Sequence, residues 1–306
     1  MAMETKTLVV SDLAMGRAGQ TVRALTGLSH SRVRGLFDSG CVTVDARPCA
    51  DVGTVVTPGQ RVEVRYDPGQ GYREKKKAWV DPELVILHED DQLIVVDKPA
   101  HMLTVPTERG EGGGTLVDRV TAYLEHGRHG RQALVVQRLD RGVSGVLVFA
   151  KTQTAWDALR DQFAERKPER MYVALVHGVV TPAEGTYQSH MVTGDNLDRY
   201  STREAGVGEL AITHYRVVKT LADATAVEVR LETGRRNQIR VHFAEHGHPI
   251  LGDARYARER DHHPEWTERR IALHARTLGF VHPNSGKRLL FESPLPRAMR
   301  RMMGER

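Results

Sequence analysis

The segment Gln137-Arg138-Leu139-Asp140-Arg141-Gly142-Val143-Ser144-Gly145 sets one carboxylate between two arginines, in a glycine-bearing turn directly ahead of the apolar run Val146 to Phe149. Nearby cations favour the ionised form of a carboxylate. Asp140 is therefore expected to stay charged at neutral pH, which suits a nucleophile or charge stabiliser better than a general acid. Taken alone, so short a motif is more often a structural turn with a surface ion pair. Other residues offer less. His262-His263, and His246 with His248, lack the one-face spacing of a zinc site and read as surface and capping histidines. Gly110-Glu111-Gly112-Gly113-Gly114 has glycines but neither the lysine nor the preceding strand of a phosphate loop, and reads as a flexible loop. Val143-Ser144-Gly145 fails the requirement of a nucleophile elbow for glycine two residues to either side of the serine. Cys41 and Cys49 make neither a disulfide framework nor a four-cysteine zinc site. No metal and no cofactor is expected.

Positioning Asp140 requires a fold, and 306 residues with 40% hydrophobic content can bury two cores of unequal size. A chain disordered along its length is excluded. No apolar stretch approaches the roughly 18 residues of a membrane span, and the first residues lack the apolar segment of a signal peptide, so a cytoplasmic protein without membrane contact is expected. The 44 basic and 39 acidic residues give a mild +5, which supports a polyanionic partner only where arginines cluster.

Residues 1–66 read as a small α+β unit. Thr21 to Thr26 suits a short helix; Ser29 suits the N-cap of a second, which Gly40 ends in the left-handed conformation. Cys41 to Val44 alternates as a strand, Asp45-Ala46-Arg47-Pro48 turns, and Arg61 to Tyr66 alternates again. Residues 67–82, with Lys75-Lys76-Lys77, have no period and read as a linker. Residues 83–306 alternate strands with fewer helices. Strands are expected at Leu84 to Leu87, Leu93 to Val96, Val146 to Phe149, Tyr172 to Val176, Thr213 to Val218 and Ala226 to Leu231. Helices are expected after Thr115, after Thr152, and from Asn237 to His246 with a stop at Gly247. Hairpin-length connections favour a mixed, mainly antiparallel sheet, and the class is α+β.

Arg138-Leu139-Asp140 followed by Ser144-Gly145 resembles the central motif of the RluA and RluD pseudouridine synthases, in which the aspartate is catalytic. Other blocks follow in the family's order. Leu93 to Pro99 resembles the opening strand, and Arg170 to Val176 with Gly178 the tyrosine strand. Thr233-Gly234-Arg235-Arg236-Asn237-Gln238-Ile239-Arg240-Val241-His242 resembles the arginine motif; Pro249 to Asp253 with Tyr256, then Leu273-His274-Ala275, complete the series. Gln137, Val143 and Asn237 stand where the family usually has histidine, threonine and histidine. Residues 12 to 66 are similar to the RNA-binding module named after ribosomal protein S-four, with Cys41 where such modules often place a basic residue.

The resemblance implies a pseudouridine synthase fold and an isomerase acting on uridines of structured RNA, ribosomal RNA before transfer RNA, as a monomer. Asp140 would attack the ribose or take a proton from the carbon beside its anomeric centre. Arg240 would pair with Asp140 in bidentate fashion, and Tyr172 would stack on the base or help remove the proton at its carbon 5. Arg138 would fill the space of the flipped nucleotide, with Leu273 packing on the base. Arg141, Arg235 and Arg236, and in the N-terminal module Arg32 and Arg34, would meet phosphates. Three rivals come from other classes. A non-catalytic RNA-binding or ribosome-assembly factor has no use for Asp140, Tyr172 and Arg240 together. A glycosidase needs two carboxylates across its site, and a small-molecule enzyme leaves residues 12 to 66 unexplained.

Overall fold

A computed structural model describes residues 3–11, 16–72, 80–107, 114–127, 132–194, 198–202, 204, 206–257 and 262–305. Lys75-Lys76-Lys77 and residues 110 to 113 lie outside these. The chain divides into two units, Met1–Trp79 and Val80–Arg306.

The first unit carries β1 (Glu4–Val9), β2 (Gly16–Arg17), α1 (Ala18–Thr26), α2 (His30–Asp38), β3 (Val42–Val44), β4 (Arg47–Pro48), β5 (Val55–Val56) and β6 (Arg61–Tyr66). The period-two pattern of β6 buries Val62, Val64 and Tyr66, and that strand sits inside the sheet order β1-β6-β3-β4. Val22 of α1 and Val33, Leu36 and Phe37 of α2 close the same core. The expected four-residue turn is tighter than its sequence suggests. Only Asp45 and Ala46 take positive φ, and Arg47-Pro48 already pairs back onto Val44 and Thr43. Ser29 sits at the N-cap of α2 without a side-chain cap bond; Gly40 has the expected left-handed φ of 69°.

The second unit is built on one large sheet. Its elements are β7 (Val85–Glu89), β8 (Leu93–Lys98), α3 (Leu116–Gly127), β9 (Leu134–Val135), β10 (Ser144–Ala150), α4 (Gln153–Ala164), β11 (Glu169–His177), β12 (Glu184–Thr193), β13 (Arg199–Thr202), β14 (Glu209–Thr220), β15 (Ala224–Leu231), α5 (Gln238–Glu245), β16 (Leu273–Val281), β17 (Arg288–Glu292) and α6 (Arg297–Met302). The order is β13-β12-β14-β15-β11-β16-β10-β8-β7, with β17 on β16 and β9 on β10. Every named pairing is antiparallel except β10 with β16, which run parallel at Ser144↔His274 and Gly145↔Ala275. The class is α+β, as expected.

Apolar runs on β8 and β10 serve two cores at once. Ile94, Val96, Leu147 and Phe149 enter the larger cluster, while the alternate residues Leu93, Val95, Val146 and Val148 enter a second. A strand covered on both faces reads as continuously hydrophobic, as these do. Leu116, Val120 and Leu124 of α3 pack into the first cluster; Ala155 and Leu159 of α4 pack into the second. Thr152 caps α4 by accepting the Ala155 N–H at 3.2 Å. Among the described residues no helix is long and apolar enough to cross a membrane.

Candidate active site

Asp140 lies in the turn that feeds β10, closed by the Val143 N–H donating to the Asp140 carbonyl at 3.1 Å. The turn is held along its length. On its entry side the buried Thr104 hydroxyl accepts from the Leu139 N–H at 3.1 Å and donates to the Leu139 carbonyl at 2.8 Å. In the middle, Lys98 Nζ reaches the Arg141 carbonyl at 3.4 Å. On the exit, Gly145 has φ +119°, and a Cβ there would collide with the Ala275 carbonyl. Only glycine lets the parallel strands approach so closely at that conformation.

Arg240 comes from α5, which begins at Asn237 in the left-handed conformation, φ 58°, a geometry asparagine tolerates better than most residues. Arg240 Nη1 donates to Asp140 Oδ2 at 2.9 Å and to Asn237 Oδ1 at 3.1 Å. The bidentate partner expected for Arg240 is a different carboxylate. Asp253 accepts from Nε at 2.7 Å and from Nη2 at 2.8 Å, leaving one guanidinium nitrogen for Asp140. The reason lies in how the donors are shared: Asp253 takes the Nε–Nη2 edge, and Nη1, which also serves Asn237 Oδ1, is left to give Asp140 a single bond. Burial opposes the charge on Arg240, yet Asp253 first and Asp140 after it hold its pKa above the ordinary value. The Tyr256 ring lies 4.9 Å under the guanidinium, and its hydroxyl accepts from Asn237 Nδ2 at 2.8 Å.

Tyr172 sits on β11 at a register shift against β16, between Val229 of β15 and Ala275. Burial raises the pKa of its hydroxyl, with Arg170 pulling it down and Asp140 pushing it up. The influence of Asp140 places Tyr172 within electrostatic reach of the Asp140 turn. Arg170 is itself buried and donates Nη2 to the Glu232 carbonyl at 2.9 Å; burial lowers its pKa, with Tyr172 working in the opposite direction.

The remaining expected residues fall into different settings. Arg138 and Arg141 are exposed on the Asp140 turn, and Arg141 Nε donates to the His101 carbonyl at 3.2 Å. Arg236 is exposed ahead of α5. Arg235 is committed to Glu209 at 2.8 Å and to the Leu210 carbonyl at 3.1 Å. Leu273, at 4% exposure, belongs to the larger core. In the first unit Arg32 donates to the carbonyls of Pro68 and Gln70, and Arg34 is half-buried on the same helix. Among the described residues no group of three or more His, Cys, Asp and Glu side chains could hold a metal ion. A hollow of about 450 Å³ lined by Arg276, Glu292 and Arg300 includes none of the site residues.

Asp253, Asn237, Tyr256 and Lys98 lie in the family-like blocks but carry no expected role, and Thr104 lies outside those blocks. Of these, Asp253 carried a signal: an acid directly behind Leu251-Gly252 and close to an arginine motif. A charge in such a run is buried only if paired.

The mixed, mainly antiparallel sheet with its few helices is the fold of pseudouridylate synthase domains. The structure matches human RNA pseudouridylate synthase domain containing 4 with a TM-score of 0.59, covering 70% of this chain and 90% of that one at 23% identity, a likeness of fold. The chain belongs to the RNA pseudouridylate synthase family, whose model matches residues 92–245. It is 33% identical over 287 residues to ribosomal large subunit pseudouridine synthase D of Zymomonas mobilis, covering 90% of this chain and 88% of that protein. The protein of the same name from Nitrosomonas europaea is 37% identical over 281 residues, 88% of this chain and 77% of that one. The protein is therefore an isomerase that converts uridine in RNA to pseudouridine.

Proposed function

We propose that the substrate is large-subunit ribosomal RNA and that Asp140, Tyr172 and Arg240 carry the reaction. The relatives' names support the choice of RNA, and the cytoplasm is the compartment that fits it, with the protein acting as a monomer. The observation that carries the assignment of residues is the buried Arg240, forked onto Asp253 with one nitrogen left for Asp140. A non-catalytic RNA-binding factor has no need of so costly an arrangement of buried charge.

The reaction breaks the bond from ribose to uracil nitrogen 1, turns the freed base, and bonds the ribose to carbon 5, which then loses its proton. Asp140 starts it, either by attack on the anomeric carbon or by taking the neighbouring ribose proton. Arg240 holds the carboxylate in place through the bond from Nη1. Tyr172, raised in pKa, keeps its phenol proton at neutral pH and stands beside the base, by stacking or by assisting the proton transfer at carbon 5. Arg138 enters the space of the flipped nucleotide, Leu273 backs the base, and Arg141 and Arg236 meet the flanking phosphates, joined by Arg235 once it leaves Glu209. The first unit, with Arg32 and Arg34 on α2, is an S-four-type RNA-binding module; residues 67–72, expected in the linker of 67–82, belong to this unit, because Tyr72 is buried in its core.

Mapping pseudouridines in total RNA from cells with and without the gene tests activity and names the site together. With that site as substrate, Asp140→Asn abolishes turnover and leaves RNA affinity within about tenfold, roughly 1.4 kcal/mol. Normal turnover in this variant removes Asp140 from the mechanism. Tyr172→Phe, in the same assay, slows turnover by about a hundredfold if the hydroxyl moves the proton; an unchanged rate leaves stacking as its role. Removing residues 1–66 lowers the salt dependence of binding by roughly 0.7 to 0.9 log units for each phosphate that the unit neutralises, and an unchanged slope refutes RNA contact by that unit.

A further inference from the structure

Behind the exit of the Asp140 turn runs a chain of hydrogen bonds that the proposed chemistry does not use. Arg270 Nη2 donates to Ser144 Oγ at 2.8 Å and to the Leu273 carbonyl at 3.2 Å, while its Nε donates to the Ile271 carbonyl at 3.2 Å. Ser144 Oγ lies 2.8 Å from His274 Nδ1, and His274 Nε2 lies 3.3 Å from the Ser293 carbonyl. The Ser293 hydroxyl donates to Asp97 Oδ2 at 2.7 Å. Ser144, His274 and Ser293 are all at most 5% exposed.

The direction of this chain follows from what each group can do. A guanidinium has donors only, so Ser144 Oγ accepts from Arg270. Because the Ser293 carbonyl facing Nε2 can only accept, a neutral imidazole leaves Nδ1 bare, and the hydroxyl proton of Ser144 goes to it. The imidazole proton is consequently on Nε2. His274 is thus a neutral imidazole of one defined tautomer. Burial, with Arg270 and Arg276 adding repulsion against the Ser293 bond, lowers its pKa to about 4, in keeping with that state.

The chain spans the site's one parallel junction. Ser144 and His274 are register partners of β10 and β16, Ser144 follows Asp140 by four residues, and His274 is two residues from the register shift that sets Tyr172 against Ala275. Arg270 is fixed in turn, since its carbonyl accepts from Trp266 Nε1 at 2.9 Å. We propose that Arg270, Ser144 and His274 are positioning residues which fix the Asp140 turn against the strand that meets Tyr172, with His274 acting as a hydrogen-bond acceptor of one tautomer. This deepens the proposed function and rests on Asp140 as the reacting group.

The test combines kinetics and spectroscopy on the full chain. Ser144→Ala and Arg270→Met should lower kcat by about tenfold to a hundredfold, the scale of a misplacement near 1 Å, with KM for the RNA within twofold. His274→Asn keeps an acceptor at the Nδ1 position and should retain most of kcat, whereas His274→Gln moves the amide to the Nε2 position and should fall with Ser144→Ala. Equal kcat for the Asn and Gln variants, or a raised KM with unchanged kcat and a lower salt slope in Arg270→Met, overturns the proposal; the latter result makes Arg270 an RNA phosphate contact. Long-range proton–nitrogen correlation of the wild-type imidazole at pH 7 should show Nε2 protonated and Nδ1 bare, and the opposite tautomer overturns the proposal even where a variant fails to fold. Activity in Asp140→Asn would remove the underlying assignment while leaving the tautomer result untouched, so the two failures are distinguishable.

Discussion

Arg240 and Lys98 bring buried positive charge to the Asp140 turn from two regions built on different principles. Arg240, on α5, is surrounded by carboxylates: Asp253 takes two of its nitrogens and Asp140 a third bond. Lys98, fully buried at the end of β8, is surrounded by carbonyls, those of Pro99 at 2.9 Å, Met102 at 2.8 Å and Arg141 at 3.4 Å. The outcomes are opposite. Arg240's pKa is raised against the effect of burial, whereas burial and the repulsion of Arg270 outweigh Asp140 at Lys98 and bring it down to about 7. Formal charges on the partners hold a buried cation charged; dipoles alone leave it open to titration at physiological pH. Arg240 is thus suited to orienting the reactive carboxylate, and Lys98 to tying loop backbone together.

The contrast breaks first at Asp253. Asp253→Ala leaves the guanidinium of Arg240 buried with half its bonds unmet, and loss of one partner of a buried pair costs about 3 to 5 kcal/mol. Turnover should fall by about a hundredfold as Arg240 and Asp140 shift. Urea denaturation and single-turnover kinetics measure the two effects. Wild-type stability in this variant would mean that Asp140 alone can satisfy Arg240, and the two regions would no longer differ in kind.

Much of the fold was legible in local pattern, and the parts that were not have a common cause. β8 and β10 announce themselves because both of their faces are covered, which makes Leu93 to Val96 and Val146 to Phe149 unbroken apolar runs. Thr115 and Thr152 mark helix starts by side-chain chemistry that acts within three residues. β12 was not expected, since Glu184 to Thr193 buries only Tyr187 and Met191 and leaves polar residues on both faces. β16 opens on Leu273-His274-Ala275-Arg276, where the histidine reads as a break in a strand pattern and is in fact buried by Ser144, 130 residues away. At the site, Asp140 and Arg240 could be paired through the family resemblance, but a resemblance does not say which carboxylate takes the fork. That depended on Asp253 entering from the loop behind α5. Lys98 was legible as part of a motif and not as a buried group, because a lysine at a strand end usually carries its head to water. What stayed hidden were pairings across long stretches of chain, where neither period nor capping chemistry has any reach.

The last and smallest effect concerns Lys98, and it sharpens the comparison through pH. Lys98→Met removes three donors and leaves buried carbonyls unmet, costing about 1 to 3 kcal/mol, less than the loss of Asp253. The folded state holds Lys98 near 7 against an ordinary 10.5. Below pH 7 both folded and unfolded chains carry the proton, and the burial penalty is present in full. Between about 7 and 10.5 the unfolded chain still binds a proton that the folded chain has released, so stability rises with pH, by at most about 1.4 kcal/mol per unit. The Met variant lacks this term. Urea midpoints measured at pH 7, 8 and 9 should therefore separate further between wild type and Lys98→Met as pH increases, with wild type gaining. Arg240 contributes nothing to that slope, because its pKa is raised above a value already beyond the window. A constant difference between the two proteins across these pH values would mean that three carbonyls suffice to keep a buried ammonium charged, and that the carboxylates around Arg240 confer orientation without being needed for charge.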